Sequence, residues 1–277
     1  AVTPEGIAYT YLGFRQRPGN FALKLLDQSL SFLKLHILLF SLALWNRYCT
    51  VLLYNSDLFF NLPIGLITRI SGLKLVKYSA EIIDKSQYRA SLLGRMSRAA
   101  YMANFKYLNR LADKLILFSH YLKEEFIGMG IAGERIIVQP NLTDFEFWTP
   151  EKIEPMYTIG YSGAPYMKDG LHDLLEALSL LSARGLDLSL IVIGDATFGR
   201  TLIPGLKEES ARLGIMDRVT FTGLVSSDEV KGYLSHCMIL AVTRPDTIQT
   251  RAGFPTKLGE YFALGKPVLA TRFGDME

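Results

Sequence analysis

Two short segments carry residue types that could hold a phosphate. In Gly253-Phe254-Pro255-Thr256-Lys257-Leu258-Gly259-Glu260, a glycine-containing loop runs into a helix. The start of such a helix offers free N–H groups to an anion. Pro255 suits the first helical position, where its missing N–H costs nothing. Glu260 falls about one and a half turns further on, within reach of a sugar hydroxyl beside a bound phosphate. Arg251 and Lys257 flank the helix start and could serve the same anion. In the second segment, Ser162 to Gly170, the small residues Gly163 and Ala164 let a ligand approach the backbone. Lys168 adds a compact positive charge. Each group also has a plain alternative. Taken alone, Lys168 reads as a solvated loop lysine and Glu260 as a carboxylate on a solvated helix face, and Arg251 and Lys257 read equally as surface charges.

The elements around these segments bring them together. Strand-like runs at 157–161, 188–193, 218–222, 238–242 and 268–270 alternate with helical patterns at 171–183, 204–213 and 228–234. Alternation of this kind predicts a parallel sheet with helices on both faces. Open α/β sheets bind ligands at the C-terminal edge of their strands. Both segments start at that edge, and so do Gly194 and Gly223-Leu224, which are candidates for contacts to a base or sugar. Upstream, helices at 21–46, 58–70, 86–110 and 121–129 and strands at 50–54, 73–78, 114–118 and 135–138 predict a second α/β unit. The proline-bracketed stretch 149–155 predicts the boundary, giving units of 1–150 and 151–277.

Charge divides along the same line. The net charge is +3, with +6 in residues 1–150 and −3 in residues 151–277. From Lys85 to Arg110 there is no acidic residue, and basic side chains alternate with Tyr, Phe, Leu and Met. That stretch reads either as a helix lying on an anionic membrane surface or as a core helix with a basic outer face. No recognisable nucleic-acid motif accompanies it. Glu81 and Asp84 follow a strand and could line an acceptor site, although Asp84 could equally cap the next helix. The apolar run Leu38–Trp45 is too short to span a bilayer.

Other features point nowhere further. Gly128-Met129-Gly130-Ile131-Ala132-Gly133 has the letters of a dinucleotide fingerprint, but it follows a helix and precedes a strand. The fingerprint needs the opposite order. The four histidines and two cysteines have no metal-ligand spacing. Hydrophobic content of 49% and a mean hydropathy of +0.19 indicate large cores and argue against disorder. The chain opens on Ala1 without an initiator Met and stops just after a strand, which reads as a fragment truncated at both ends.

The segment Gly253–Thr271 resembles the donor-site signature of family-4-like glycosyltransferases of the GT-B type. Tyr161-Ser162-Gly163 through Lys168-Asp169-Gly170, Val219 to Gly223, and the stretches 112–119 and 137–141 are similar to other parts of that family. The resemblance implies two Rossmann-like doubly wound parallel-sheet domains facing a cleft. It implies a retaining transfer of sugar from a nucleoside-diphosphate donor to a glycan or lipid-linked acceptor, as in cell-surface polysaccharide biosynthesis. No metal or other cofactor is expected. By matching position, Glu260 is the second glutamate of the family's E-x7-E motif and grips the donor ribose, while Lys168 binds the pyrophosphate. Gly163, Ala164, Gly194, Gly223, Leu224, Arg251 and Gly253 to Lys257 complete the expected donor site. Two departures stand out. Ala252 occupies the place of the first glutamate, and no arginine stands near Gly163, so a second cation must come from elsewhere, such as Arg251. A cytoplasmic enzyme peripheral to the inner face of the membrane is the expected setting. A nucleotide-sugar epimerase of the same architecture and a non-catalytic nucleotide-sugar-binding protein are the alternatives.

Overall fold

A computed structural model of the chain describes residues 19–45, 50–54, 58–79, 91–151, 153–196 and 201–276. Glu81, Asp84 and the first part of the basic stretch, 85–90, lie outside the described residues. The chain forms two compact units.

The first unit is built on a four-stranded sheet of β1 (Thr50–Tyr54), β2 (Lys74–Ser79), β3 (Lys114–Leu117) and β4 (Ile136–Val138), in that spatial order. β1 pairs parallel with β2, and β2 with β3. Helices α1 (Phe21–Trp45), α2 (Leu58–Ser71), α3 (Leu92–Lys106) and α4 (His120–Gly128) alternate with the strands. In the described part of the basic stretch the helix is α3. α3 starts at Leu92, after its N-cap Ser91, whose Oγ accepts the Gly94 N–H at 3.1 Å, the usual capping role of a serine hydroxyl. The glycines at 128–133 are a helix exit and turn, with Gly130 at φ +84°. α1 corrects the reading of the apolar run at 38–45. Taken as a whole helix, Ala22–Trp45 is long and apolar enough to cross a membrane by length and composition.

One polar group in this unit is costly. Lys77 is 6% exposed, and its ammonium donates to Asn104 Oδ1 at 3.0 Å, which also accepts from Asn61 Nδ2 at 2.6 Å. Burial lowers the Lys77 pKa to about 8. The folded state therefore gives up this proton before the unfolded chain does. Between about pH 8 and the ordinary lysine value of 10.5 the unfolded state binds more protons, so stability rises with pH, by up to about 1.4 kcal/mol per unit. Denaturant midpoints measured across that window should climb, and Lys77→Met should flatten the climb.

The second unit holds a five-stranded sheet of β5 (Tyr157–Ser162), β6 (Leu190–Ile193), β7 (Val219–Gly223), β8 (Cys237–Val242) and β9 (Val268–Ala270). Its order is β7-β6-β5-β8-β9, and every neighbouring pair is parallel. Helices α5 (Leu171–Ala183), α6 (Ile203–Arg212), α7 (Ser227–Ser235), α8 (Ile248–Ala252) and α9 (Thr256–Ala263) complete it. β6 is apolar and buried at every position, as a strand covered on both faces must be. Its side chains alternate between two cores. Leu190 and Val192 pack with Leu174, Leu178 and Leu206 on the α5–α6 side. Ile191 and Ile193 pack with Leu234, Leu258 and Tyr261 on the α7–α9 side.

The segment before β5 belongs to this second core. Trp148 is 9% exposed within it, Asn141 Nδ2 donates to the Phe254 carbonyl at 2.9 Å, and the Thr143 hydroxyl lies directly against Gly259 of α9.

Candidate functional site

The order of the second sheet reverses at β5. The chain moves outward from β5 through β6 to β7, then returns to the other side of β5 with β8 and β9. Ligands of open α/β sheets bind beyond the C-terminal ends of the strands at such a reversal, which here are the ends of β5 and β8.

Backbone geometry ties the loops after these two strands together. The β5 loop ends in a short 3-10 turn, Met167–Asp169, followed by Gly170 at φ +66°. A Cβ on Gly170 would fall 1.8 Å from the Thr243 carbonyl oxygen, so only glycine fits. Thr243, just past β8, donates its hydroxyl to the Asp169 and Gly170 carbonyls at 3.0 and 3.2 Å.

This places a largely buried charge cluster at the strand ends. Asp169 is 3% exposed. Its Oδ1 accepts from Arg244 Nε at 3.3 Å and from Lys257 Nζ at 3.4 Å. The Lys257 ammonium also sits 3.8 Å from the centroid of the Tyr161 ring, a favourable cation–π position. Two cations thus share one carboxylate. Burial lowers the Lys257 pKa to about 8; Asp169 pulls it up, Arg244 pushes it down, and Glu260 pulls it up. Burial likewise raises the Tyr161 phenol far above its ordinary value, with Asp169 adding to the effect.

Above the cluster the backbone is open. Gly163 faces solvent at φ +118°, and a Cβ there would lie 3.5 Å from Lys257 Nζ. Its own N–H is held by the Ile193 carbonyl at 2.8 Å, and the Ala164 carbonyl accepts from the Tyr161 hydroxyl at 3.2 Å.

α9 enters from the other side. Pro255 is its N-cap rather than its first residue, and the helix begins at Thr256. The first-turn amides of Thr256 and Lys257 have no acceptor within the helix. The Gly253 N–H, in contrast, closes α8 on the Gln249 carbonyl at 3.2 Å, so it is not among the groups offered. Tyr261 fixes the helix to β5 by accepting the Ser162 N–H at 2.9 Å. Glu260 is half-buried one turn after Lys257; burial raises its pKa and Lys257 lowers it.

The sequence-derived residues fall into three groups. Lys168 precedes Asp169 in the turn, and Asp169 bonds Lys257, one turn from Glu260, so all three lie at one sheet edge. Gly194 and Gly223 meet in an isolated bridge at the ends of β6 and β7, and Leu224 beside them is exposed. Arg251 turns to Asp246, with Nε and Nη2 at 2.6 and 2.5 Å from its two oxygens, and Ala252 is fully buried. Asp169, Arg244 and Tyr161 were not anticipated. Only the position of Arg244, two residues past a strand end, hinted at its place.

Residues 157–277 match the family described as glycosyl transferases group 1. That match covers the second unit's sheet and the whole charge cluster. No curated protein matches the chain. Among solved structures, the chain is similar to Anabaena Alr3699/HepE in complex with UDP, at 20% identity over 92% of this chain and 66% of that one, with a TM-score of 0.63. It is similar to a glycosyltransferase from Rickettsia africae, at 16% identity over 94% and 65%, with a TM-score of 0.65. It is also similar to a sucrose-phosphate synthase from Thermosynechococcus elongatus, at 17% identity over 89% and 62%, with a TM-score of 0.63. The chain covers less than two thirds of the length of each. The shared fold is GT-B, with two Rossmann-like parallel-sheet units.

Proposed function

We propose that this chain is the greater part of a glycosyltransferase that binds a nucleoside-diphosphate sugar at the C-terminal ends of β5 and β8. One observation carries the reading: the Lys168 turn, the first turn of α9 and Glu260 converge on one strand edge through the Asp169–Lys257 contact. The match to the group 1 glycosyl transferase family over the same residues supports it, and so does the UDP in the similar Anabaena structure.

The chemistry follows from charge. Breaking the anomeric bond builds negative charge on the leaving diphosphate. The α9 amides and the Lys168 ammonium stabilise that charge more in the transition state than in the ground state, which is what accelerates the step. Glu260 holds the ribose hydroxyls and fixes the donor. Retention of anomeric configuration and independence from a metal ion are part of the proposal and rest on the family resemblance. The acceptor is assigned to the basic first unit as a glycan or lipid-linked glycan. An anionic inner membrane face suits the exposed Leu92, Met96 and Met102 alongside the basic residues of α3, and the exposed apolar side chains of α1.

Lys168→Ala and Glu260→Ala each remove a charge-assisted contact, so each should weaken nucleotide-sugar binding about 10- to 100-fold with unfolding midpoints near wild type. Unchanged affinity for every nucleotide sugar tested would reject the site. The buried Ala252 favours a second reading, a protein that binds the donor without turning it over. Incubating the full-length protein with donor separates the readings. Slow release of sugar indicates transfer, tight binding without release indicates the second reading, and interconversion of free donor indicates an epimerase.

A further inference from the structure

A buried ammonium and an open backbone coincide at Lys257. Lys257 is buried and Arg244 half-buried against Asp169, whose Oδ1 they share, while Glu260 acts on Lys257 through space. A buried ammonium needs a close anionic partner, and the Asp169 contact, at 3.4 Å, is a long one. The Lys257 ammonium lies beneath Gly163, which faces solvent. Gly163 is also where an arginine is missing from the expected donor site. Arg251 does not fill that gap, since both of its contacts go to Asp246.

Resting on the proposed donor site, we infer that Lys257 is its second diphosphate-binding cation, with Asp169 as the stand-in anion that holds it when no donor is bound. A phosphate lying across Gly163 lies on Lys257 Nζ. The ammonium then exchanges Asp169 Oδ1 for a phosphate oxygen, and Arg244 remains to neutralise the carboxylate. Glycine at 163 is what allows this, because any side chain there would occupy the space of the phosphate.

Proton linkage gives the inference a signature of its own. The groups facing Lys257 are Asp169 on the β5 loop, Arg244 after β8, the Tyr161 ring on β5 and Glu260 on α9. With these neighbours Lys257 titrates at about 8. A bound diphosphate favours the charged form, so binding takes up a proton above that pH and affinity falls as pH rises through it.

The test is calorimetric titration of the full-length protein with UDP-glucose, GDP-mannose and ADP-glucose, whose diphosphates carry no proton that titrates near this pH. Titrations in buffers of different ionisation enthalpy read out the proton. Wild type should take up a proton above about pH 8. Lys257→Met should bind about 10- to 100-fold more weakly and take up none. Lys257→Arg should keep most of the affinity and lose its pH dependence. Wild-type affinity that is flat through this range with no proton uptake would overturn the inference even if Lys257→Met failed to fold. So would a folded Lys257→Met with wild-type affinity. If wild type bound none of the three, the donor-site reading itself would fall, and this inference with it.

Discussion

Replacing Asp169 by Ala should destabilise the second unit by about 3–5 kcal/mol, because the buried Lys257 and the half-buried Arg244 lose the carboxylate they share. Arg244 and Lys257 would then stand close together with side chains 12% and 10% exposed, repelling each other where water cannot screen them. A urea midpoint that drops at unchanged m-value would report this loss. The effect should be partly reversible in two ways. Adding Lys257→Met removes one stranded charge, so the double variant should be more stable than Asp169→Ala alone. At the proposed donor site a nucleotide sugar would supply negative charge to the same cluster, so it should raise the melting temperature of Asp169→Ala more than that of wild type. A loss below about 1 kcal/mol, as for an exposed ion pair, would show that the carboxylate does not hold the cluster.

Gly170→Ala should be nearly as damaging, for a steric reason. The residue needs φ +66°, which costs an L-amino acid about 1–2 kcal/mol. The new methyl would also fall 1.8 Å from the Thr243 carbonyl oxygen, and that oxygen belongs to the backbone at the end of a central strand. Relief requires the β5 and β8 loops to separate. We expect a total of about 3 kcal/mol or more. Lys168 and Asp169 directly precede Gly170, so nucleotide-sugar affinity should fall together with stability. Near-wild-type stability and affinity would contradict the close packing of these loops.

Much of this architecture is legible in the sequence, for identifiable reasons. The runs that became β1, α5 and β9 have the composition and punctuation of their elements. α5 ends at Ala183, just before Gly185, and β9 is an apolar run bounded by Pro267. The order of strands and helices required the parallel sheet. α8 escaped because its capping pair is Thr247 with Thr250, where the recognisable signature has Glu or Gln in the second place. Pro255 escaped by one residue for a related reason, since a proline fits both the cap and the first turn. The charge cluster was harder to see. Asp169, Arg244 and Lys257 are separated by 75 and 13 residues in the chain, and no local pattern announces that a sheet reversal will bring them together. Lys257 read as a flanking surface cation because helix-start lysines are ordinarily solvated. Its burial follows from Tyr261 fastening α9 to β5, a tertiary contact with no signature in the residues around it.

The anchoring of α9 by Asn141, Thr143 and Trp148 sets where the second unit can be excised for separate expression. A cut at the proline-rich stretch near residue 150 looks natural on composition. It would remove the partner of the Phe254 carbonyl, bare one flank of α9 and leave a tryptophan-sized void in the apolar layer. A fragment begun at Val138 keeps all three. Soluble yield and nucleotide-sugar affinity of the two fragments, side by side, would show how far upstream this module really begins.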